Sequence, residues 1–328
     1  MQPAEFRSSL LSRRQLLSAL PALGLGRHLV TVQRATTAEV IVLGTSQDAG
    51  VPQFNCFKGY CARVRAGERE PPRGACLGLW DAGSEQRFMI DATLDFPAQF
   101  AALLAATGGG SGVAGTVARV TDHLHGILIT HTHMGHYTGL MHLGREGAST
   151  YRMPVYASSS TCNYLRNNGP WSQLVALDQI RLIPLEPGRR FVLSANLTIT
   201  PLAVPHRSEY SDTLGYLIAG PSRTLMAIPD TDTWDDWPVR FEDCLALSDV
   251  ALLDGSFWSY DELGHRVQGD VPHPPMAVTI DRLVGHTTTE IWFYHMNHTN
   301  PLWEETAPQR ALLPEGFGIA SQGMRVLL

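Results

Sequence analysis

The stretch "ITHTHMGHYTGL" places three histidines, His131, His133 and His136, within six residues. A neutral imidazole offers one nitrogen lone pair, so a group this dense is suited to hold a divalent metal ion. Spacing i, i+2 in an extended segment sends two side chains to one side, which pairs His131 with His133. His136 starts the next helix and can point to a neighbouring position. Three more polar residues share with His131 a place directly after an apolar, β-rich run. They are His206 after "TITPLAVP", Asp230 after "TLMAIP" and His295 after "EIWFY". If those strands share a sheet and a direction, the four ends converge at one edge, where loops carry function on a rigid base. Five imidazoles and one carboxylate exceed one tetrahedral site. They fit two ions roughly 3.5–4 Å apart, bridged by the carboxylate. Zinc is the expected ion for these donors, with iron and manganese compatible.

The elements that must carry these residues are short. "AEVIVLG", "GACLGLWDAG", "RFMIDAT", "HGILIT" and "MPVYAS" read as strands in the first half. "DFPAQFAALLAAT", "TGLMHLGREG" and "TCNYLRNN" read as helices, and "GGGSGVAG" as a loop. In the second half "LTITPLAVPH", "DVALLDGSF" and "EIWFYHMNH" read as strands, and "TLGYLIAGPSRTLMAIPD" as a hairpin turning at Gly220-Pro221. Strands alternate with helices in both halves without a composition break. This predicts one α/β sandwich of two similar units over residues 38–328.

The bulk composition narrows the function. The chain has 328 residues, 44% of them hydrophobic, which supports a large core. A net charge of −6 argues against a general nucleic-acid or anionic-membrane binder, and a small-molecule substrate is expected. Five cysteines cannot form a fully paired disulfide framework within one chain. Residues 1–37 read as a leader. Arg13 and Arg14 precede a mild apolar run in "SRRQLLSALPALGLG", a pattern similar to a twin-arginine export signal. The run is too short for a bilayer, which needs roughly 20 residues, so no stable membrane anchor is expected. The leader predicts transit through the twin-arginine machinery to the periplasm or beyond, or a cytoplasmic protein if it is not functional. Export in the folded state suits a protein that takes up metal before leaving.

The histidine pattern resembles the metallo-β-lactamase superfamily, whose motif is H-x-H-x-D-H after a strand, then a strand-end His, a bridging Asp and a last His. Here these map to His131, His133, His136, His206, Asp230 and His295. The resemblance covers about residues 39–328 and implies an αββα four-layer sandwich with metals at the sheet edge. "VLGTSQDAGVPQFNC", "FMIDATLDFPAQF", "LLDGSFW" and "HMNHTNPLWEETAPQR" resemble, within the superfamily, the coenzyme PQQ synthesis protein B family. They resemble more distantly the phosphonate-pathway phosphodiesterase. The pattern departs at one position. Gly135 stands where the family has an acid that binds the second metal, so the second site is expected to keep His136, His295 and Asp230 and to be weakened. Asp232 and His298 are candidate compensators, and Asp232 reads otherwise as a loop or capping residue. The phosphodiesterase-like branches imply that His273, in "VPHPPM", is a general acid toward the leaving group. Cys56 and Cys61 match an incomplete structural-zinc motif, with Lys58 in place of the middle cysteine. His123 and His125 read as structural.

The resemblance implies a metal-dependent hydrolase in which metal-activated water attacks an ester or phosphodiester, with Asp230 and His273 as the catalytic residues. One alternative is an iron-dependent oxygenase acting on a quinone-cofactor precursor, which the PQQ synthesis protein B resemblance implies. An export signal argues against that, since cofactor biosynthesis belongs in the cytoplasm. The other alternative is a non-catalytic metal or ligand-binding protein, motivated by Gly135.

Overall fold

Successive side chains alternate between the two faces of each strand, and two sheets so formed separate three apolar layers. The computed structural model describes residues 37–109, 119–263 and 271–328. The leader expected over residues 1–37 lies outside them except for its last residue, as does most of "GGGSGVAG". Strands β1 (Ala38–Gly44), β2 (Cys76–Asp81), β3 (Gln86–Ile90), β4 (Gly126–Leu128), β5 (Met153–Ser158) and β6 (Ile180–Leu185) build one sheet. Strands β7 (Phe191–Val192), β8 (Thr198–Val204), β9 (Thr213–Ala219), β10 (Thr224–Ile228), β11 (Val250–Asp254), β12 (Glu290–Tyr294) and β13 (Phe317–Ile319) build the other. The C-terminal β14 (Arg325–Leu327) returns to pair with β1.

Each sheet has seven strands, ordered β14-β1-β2-β3-β4-β5-β6 and β13-β12-β11-β10-β9-β8-β7. Each is antiparallel in one half and parallel in the other: β3 through β6 run parallel, and so do β10 through β13. The two halves of the chain thus repeat one design, as the alternation of elements predicts.

Strand β1 shows why the strands are buried throughout. Ala38, Val40 and Val42 enter the core between the sheets, while Ile41 and Leu43 pack under the helices on the outer face. In β11, Val250 and Leu252 face the inter-sheet core, and Ala251 and Leu253 the opposite helix layer. A strand covered on both faces reads as a near-continuous apolar run. The helix Phe96–Ala106 covers the first sheet and Met276–Leu283 the second, completing four layers, helix–sheet–sheet–helix. The segment read as a helix after His136 is a short α-turn, Met134–Tyr137, followed by a 3-10 helix, Thr138–Leu143. Gly139 allows this tight path, since a Cβ there would lie 2.2 Å from the carbonyl oxygen of Thr93.

At one end the sheets are stitched together by backbone. The Leu214 N–H donates to the Thr130 carbonyl at 2.9 Å, and the Tyr216 hydroxyl donates to the Ile129 carbonyl at 2.8 Å. These bonds run from β9 in one sheet to the exit of β4 in the other. Likewise, the exit of β1 runs beside the exit of β12, with Gln47 N–H donating to Met296 O at 2.9 Å and Met296 N–H to Thr45 O at 2.8 Å. The candidate site lies at this stitched end.

Candidate metal centre

Six strand exits build the centre: Asp91 after β3, His131 after β4, His206 after β8, Asp230 after β10, Asp254 at the end of β11 and His295 after β12. Strands β8, β10 and β12 share a sheet and a direction, since β9 is antiparallel to both β8 and β10 and β10 to β12 are parallel. The expectation of one common sheet therefore holds for His206, Asp230 and His295. It is corrected for His131, which comes from the facing sheet and is brought in by the bonds from Leu214 and Tyr216. The centre lies between the sheet ends, not along one edge.

The six expected ligands come together in two groups. In the first, His131, His133 and His206 each direct one ring nitrogen toward a common point. His133 Nδ1 lies 3.1 Å from His206 Nε2. His131 is buried, and its Nε2 makes no hydrogen bond. Burial, reinforced by His136, holds its proton affinity well below that of ordinary histidine, so the ring is neutral and its lone pair available.

The second group holds His136, Asp230 and His295, together with Asp48. Asp230 Oδ2 lies 3.2 Å from His136 Nε2 and 3.3 Å from His295 Nε2. Its other oxygen, Oδ1, faces the first group, 3.7 Å from His206 Nε2. One carboxylate thus presents one oxygen to each group. Burial favours its protonated form, but His295, His136, His131 and His206 outweigh this and keep it ionised, well below the usual carboxylate range. Asp48 Oδ1 approaches the same pair, 3.4 Å from His295 Nε2 and 3.7 Å from His136 Nε2.

These separations fit a metal centre. Two donors on one tetrahedral zinc ion stand about 3.3 Å apart when each bond is roughly 2.0–2.1 Å. The pairs His133–His206, His136–Asp230, His206–Asp230 and His136–Asp48 stand 3.1 to 3.7 Å apart. His131 Nε2, His136 Nε2, His295 Nε2 and Asp230 Oδ2 are all buried without a hydrogen bond. Buried polar atoms are seldom left so, and several converging on one place mark a site for a cation.

The opposite ring nitrogens are held by partners that set each tautomer. Asp91 Oδ2 lies 2.8 Å from His136 Nδ1. Asp91 also accepts from the Thr130 N–H at 2.8 Å and from the Thr130 hydroxyl at 3.0 Å. With that hydroxyl proton committed, Thr130 Oγ1 accepts from His131 Nδ1 at 3.0 Å. Asp232 Oδ1 is 2.6 Å from His206 Nδ1, Glu209 Oε2 2.9 Å from His133 Nε2, and Ser256 Oγ 3.2 Å from His295 Nδ1. Two of these positions are strained: Asp91 has φ 67° and His295 has φ 59°, a left-handed backbone that costs a non-glycine residue about 1–3 kcal/mol. Both sit directly after a strand, where the chain must turn its side chain into the centre.

The remaining expected residues divide. His273 is not an exposed loop residue. It is buried in the wall of the centre with Nδ1 2.6 Å from Asp254 Oδ2. Burial opposes its charge, but Asp254 outweighs that and pushes the ring up to about 9. Asp232 is no compensator for Gly135, because it grips the outer nitrogen of His206. His298 is not one either: its Nδ1 lies 3.6 Å from Cys61 Sγ, and Cys56, Cys61 and His298 form a separate small group. The five cysteines form no disulfide. His125 is structural, accepting the Arg87 N–H at 3.1 Å, and His123 belongs to neither group.

Reasoning from sequence missed Asp48, Asp91, Asp254 and Glu209. Asp91 and Asp254 carried a usable signal, since each ends an apolar strand as His131 does. The centre opens into a cavity of about 850 Å³. Lys58 and Arg207 bring positive charge to its wall, and Leu94, Met134 and Phe257 bring apolar surface.

Comparison with known proteins agrees with this architecture. A family model described as "Beta-lactamase superfamily domain" matches residues 86–312. Coenzyme PQQ synthesis protein B of Ectopseudomonas mendocina is 28% identical over 324 residues, covering 88% of this chain and 100% of the relative. The protein of the same name from Azotobacter vinelandii is 27% identical over 316 residues, covering 87% and 98%. Among solved structures, Zn(2+)-bound PqqB from Methylobacterium extorquens superposes with TM-score 0.73 at 22% identity, covering 88% of this chain and 100% of that one. A diphosphatase from the PhnP family superposes with TM-score 0.62 at 18% identity, covering 89% and 97%. With the four-layer sandwich and the histidine–aspartate centre between its sheet ends, the chain belongs to the beta-lactamase superfamily and has the metallo-β-lactamase fold.

Proposed function

We propose that this protein is a metal-dependent hydrolase of a small ester or phosphodiester carrying negative charge. The observation that carries this reading is Asp230, which turns one oxygen to each of two groups of imidazole nitrogens, among them the buried, unbonded Nε2 atoms of His131, His136 and His295. His131, His133 and His206 would hold one divalent ion, and His136 and His295 a second, with Asp230 shared. Zinc is the best match to the donors, with iron and manganese compatible. When bound, such a pair supplies Lewis acidity and an acidified water. The chain's own groups do the rest. Lys58 and Arg207 on the cavity wall draw in an anionic group and orient it. His273, anchored through Nδ1 to Asp254 beside Asp230, is placed to hand a proton to the departing oxygen.

The test is to load the protein with zinc or manganese and offer bis(4-nitrophenyl) phosphate, 4-nitrophenyl acetate and a chromogenic lactam. Turnover of the phosphodiester or ester, lost in His131→Ala, is the expected result. A protein that holds two ions and turns over none of the three sinks the hydrolase reading.

A second reading, an iron-dependent oxygenase, is favoured by the end-to-end similarity to coenzyme PQQ synthesis protein B. Oxygen uptake by the iron-loaded protein with a tyrosine-derived quinone precursor would select it. We place the mature protein outside the cytoplasm, delivered by the Arg13–Arg14 leader. Residues 1–37 fused to a reporter should export it, and Arg13→Lys/Arg14→Lys should retain it inside.

A further inference from the structure

The glycine at position 135 has a physical reason, and the reason is Asp48. A Cβ built on Gly135 would lie 2.0 Å from Asp48 Cβ, 2.5 Å from Asp48 Cα and 2.7 Å from Asp48 Cγ. No real side chain tolerates such distances. Asp48 therefore fills the volume that a residue at position 135 would need, and the two positions compete for one place beside His136.

Asp48 arrives there from the exit of β1, far from Gly135 in sequence. Strand β1 ends at Gly44, and the chain then pairs with the exit of β12 through Ser46 and Met296. The bonds Gln47 N–H to Met296 O and Met296 N–H to Thr45 O fix this segment one residue from His295. A turn follows, closed by the Gly50 N–H on Gln47 O at 2.9 Å, with Gly50 at φ 71°. The turn aims the Asp48 carboxylate at the nitrogens of His295 and His136, at 3.4 and 3.7 Å. Those nitrogens are buried and make no hydrogen bond.

We propose that Asp48 is the relocated acid of this centre, a ligand to the second ion held by His136, Asp230 and His295, and that Gly135 is its steric counterpart. The second position is then complete, with two imidazoles and two carboxylates, and is not weakened by Gly135. This inference rests on the two-metal reading above.

The test is the metal content of variants at position 48. Full-length protein is equilibrated with zinc, freed of excess by gel filtration, and its zinc counted by elemental mass spectrometry. Wild type should hold two ions per chain and Asp48→Ala about one. Competition with a chelator should show the second ion weakened by more than the roughly 10–100-fold typical of losing an outer partner. Asp48→Asn, which keeps the side-chain volume beside Gly135, should behave like Asp48→Ala, and circular dichroism confirms that each variant is folded. Two ions held with unchanged affinity in both folded Asp48 variants overturn the inference and leave the two-metal reading standing. Fewer than two ions in wild type overturn both.

Discussion

The two halves of the candidate metal centre have the same scaffold and different chemistry. The His131–His133–His206 half is built from three imidazoles, with a carboxylate oxygen from the shared Asp230. The His136–His295 half faces two carboxylates, Asp230 and Asp48. Their outer partners differ too. His136 rests on the fully buried Asp91, whereas His133 rests on Glu209 at the solvent-facing rim. A site of imidazoles favours zinc by softness, while added carboxylate favours harder ions such as manganese or iron. On the two-metal reading proposed above, one cavity would present two positions of unlike charge and hardness, set by Asp48, which enters from the exit of β1.

Variants can break this contrast or sharpen it. The largest effect is expected from Asp230→Ala, which removes the shared carboxylate. Both ions should be lost together and turnover should fall to background, read by metal content and hydrolysis of the phosphodiester. If one ion stays tightly bound, the halves are more independent than the shared oxygens imply. Next in size, His131→Ala and His136→Ala should each remove a different ion. Mixed loading with zinc and manganese should show His131→Ala losing the zinc and His136→Ala the manganese; the same ion lost from both would refute the contrast in hardness.

Outer partners should matter less. Asp91→Ala and Asp232→Ala should each weaken one ion about 10–100-fold, Asp91→Ala that of His136 and Asp232→Ala that of His206, as measured by chelator competition. Tyr216→Phe should cost about 1–3 kcal/mol of stability, because the buried Ile129 carbonyl loses its donor, and should loosen the His131 half before the other. The smallest effect is expected from Arg207→Ala at the cavity wall. It should raise KM for an anionic substrate a few-fold, more at low salt than at high salt, with kcat little changed.

Much of the centre was legible because its signals are local. His131, His206, Asp230 and His295 each follow an apolar run, and a strand's exit is a position that sequence can locate. The spacing from His131 to His136 divides three histidines between two places within one turn of chain. His273 was legible as a residue but not as an environment, because the Pro-rich segment that carries it packs it against Asp254, a contact that spacing does not encode. The orienting acids show the same limit. Asp91 holds His136, and Asp232 grips the outer face of His206 instead of filling in for Gly135.

What the sequence by itself determined is β1 to β5 and β8 to β12, and the donors His131, His206, Asp230 and His295 that follow four of them, because apolar runs and strand-end position are properties of neighbouring residues. The tertiary structure alone decided that His131 comes from the opposite sheet and that Asp48 lies against Gly135. Both depend on backbone bonds between chain exits far apart in sequence, Leu214 with Thr130 and Gln47 with Met296. The space beside a glycine is filled by whatever the fold brings there, and no local pattern names that residue.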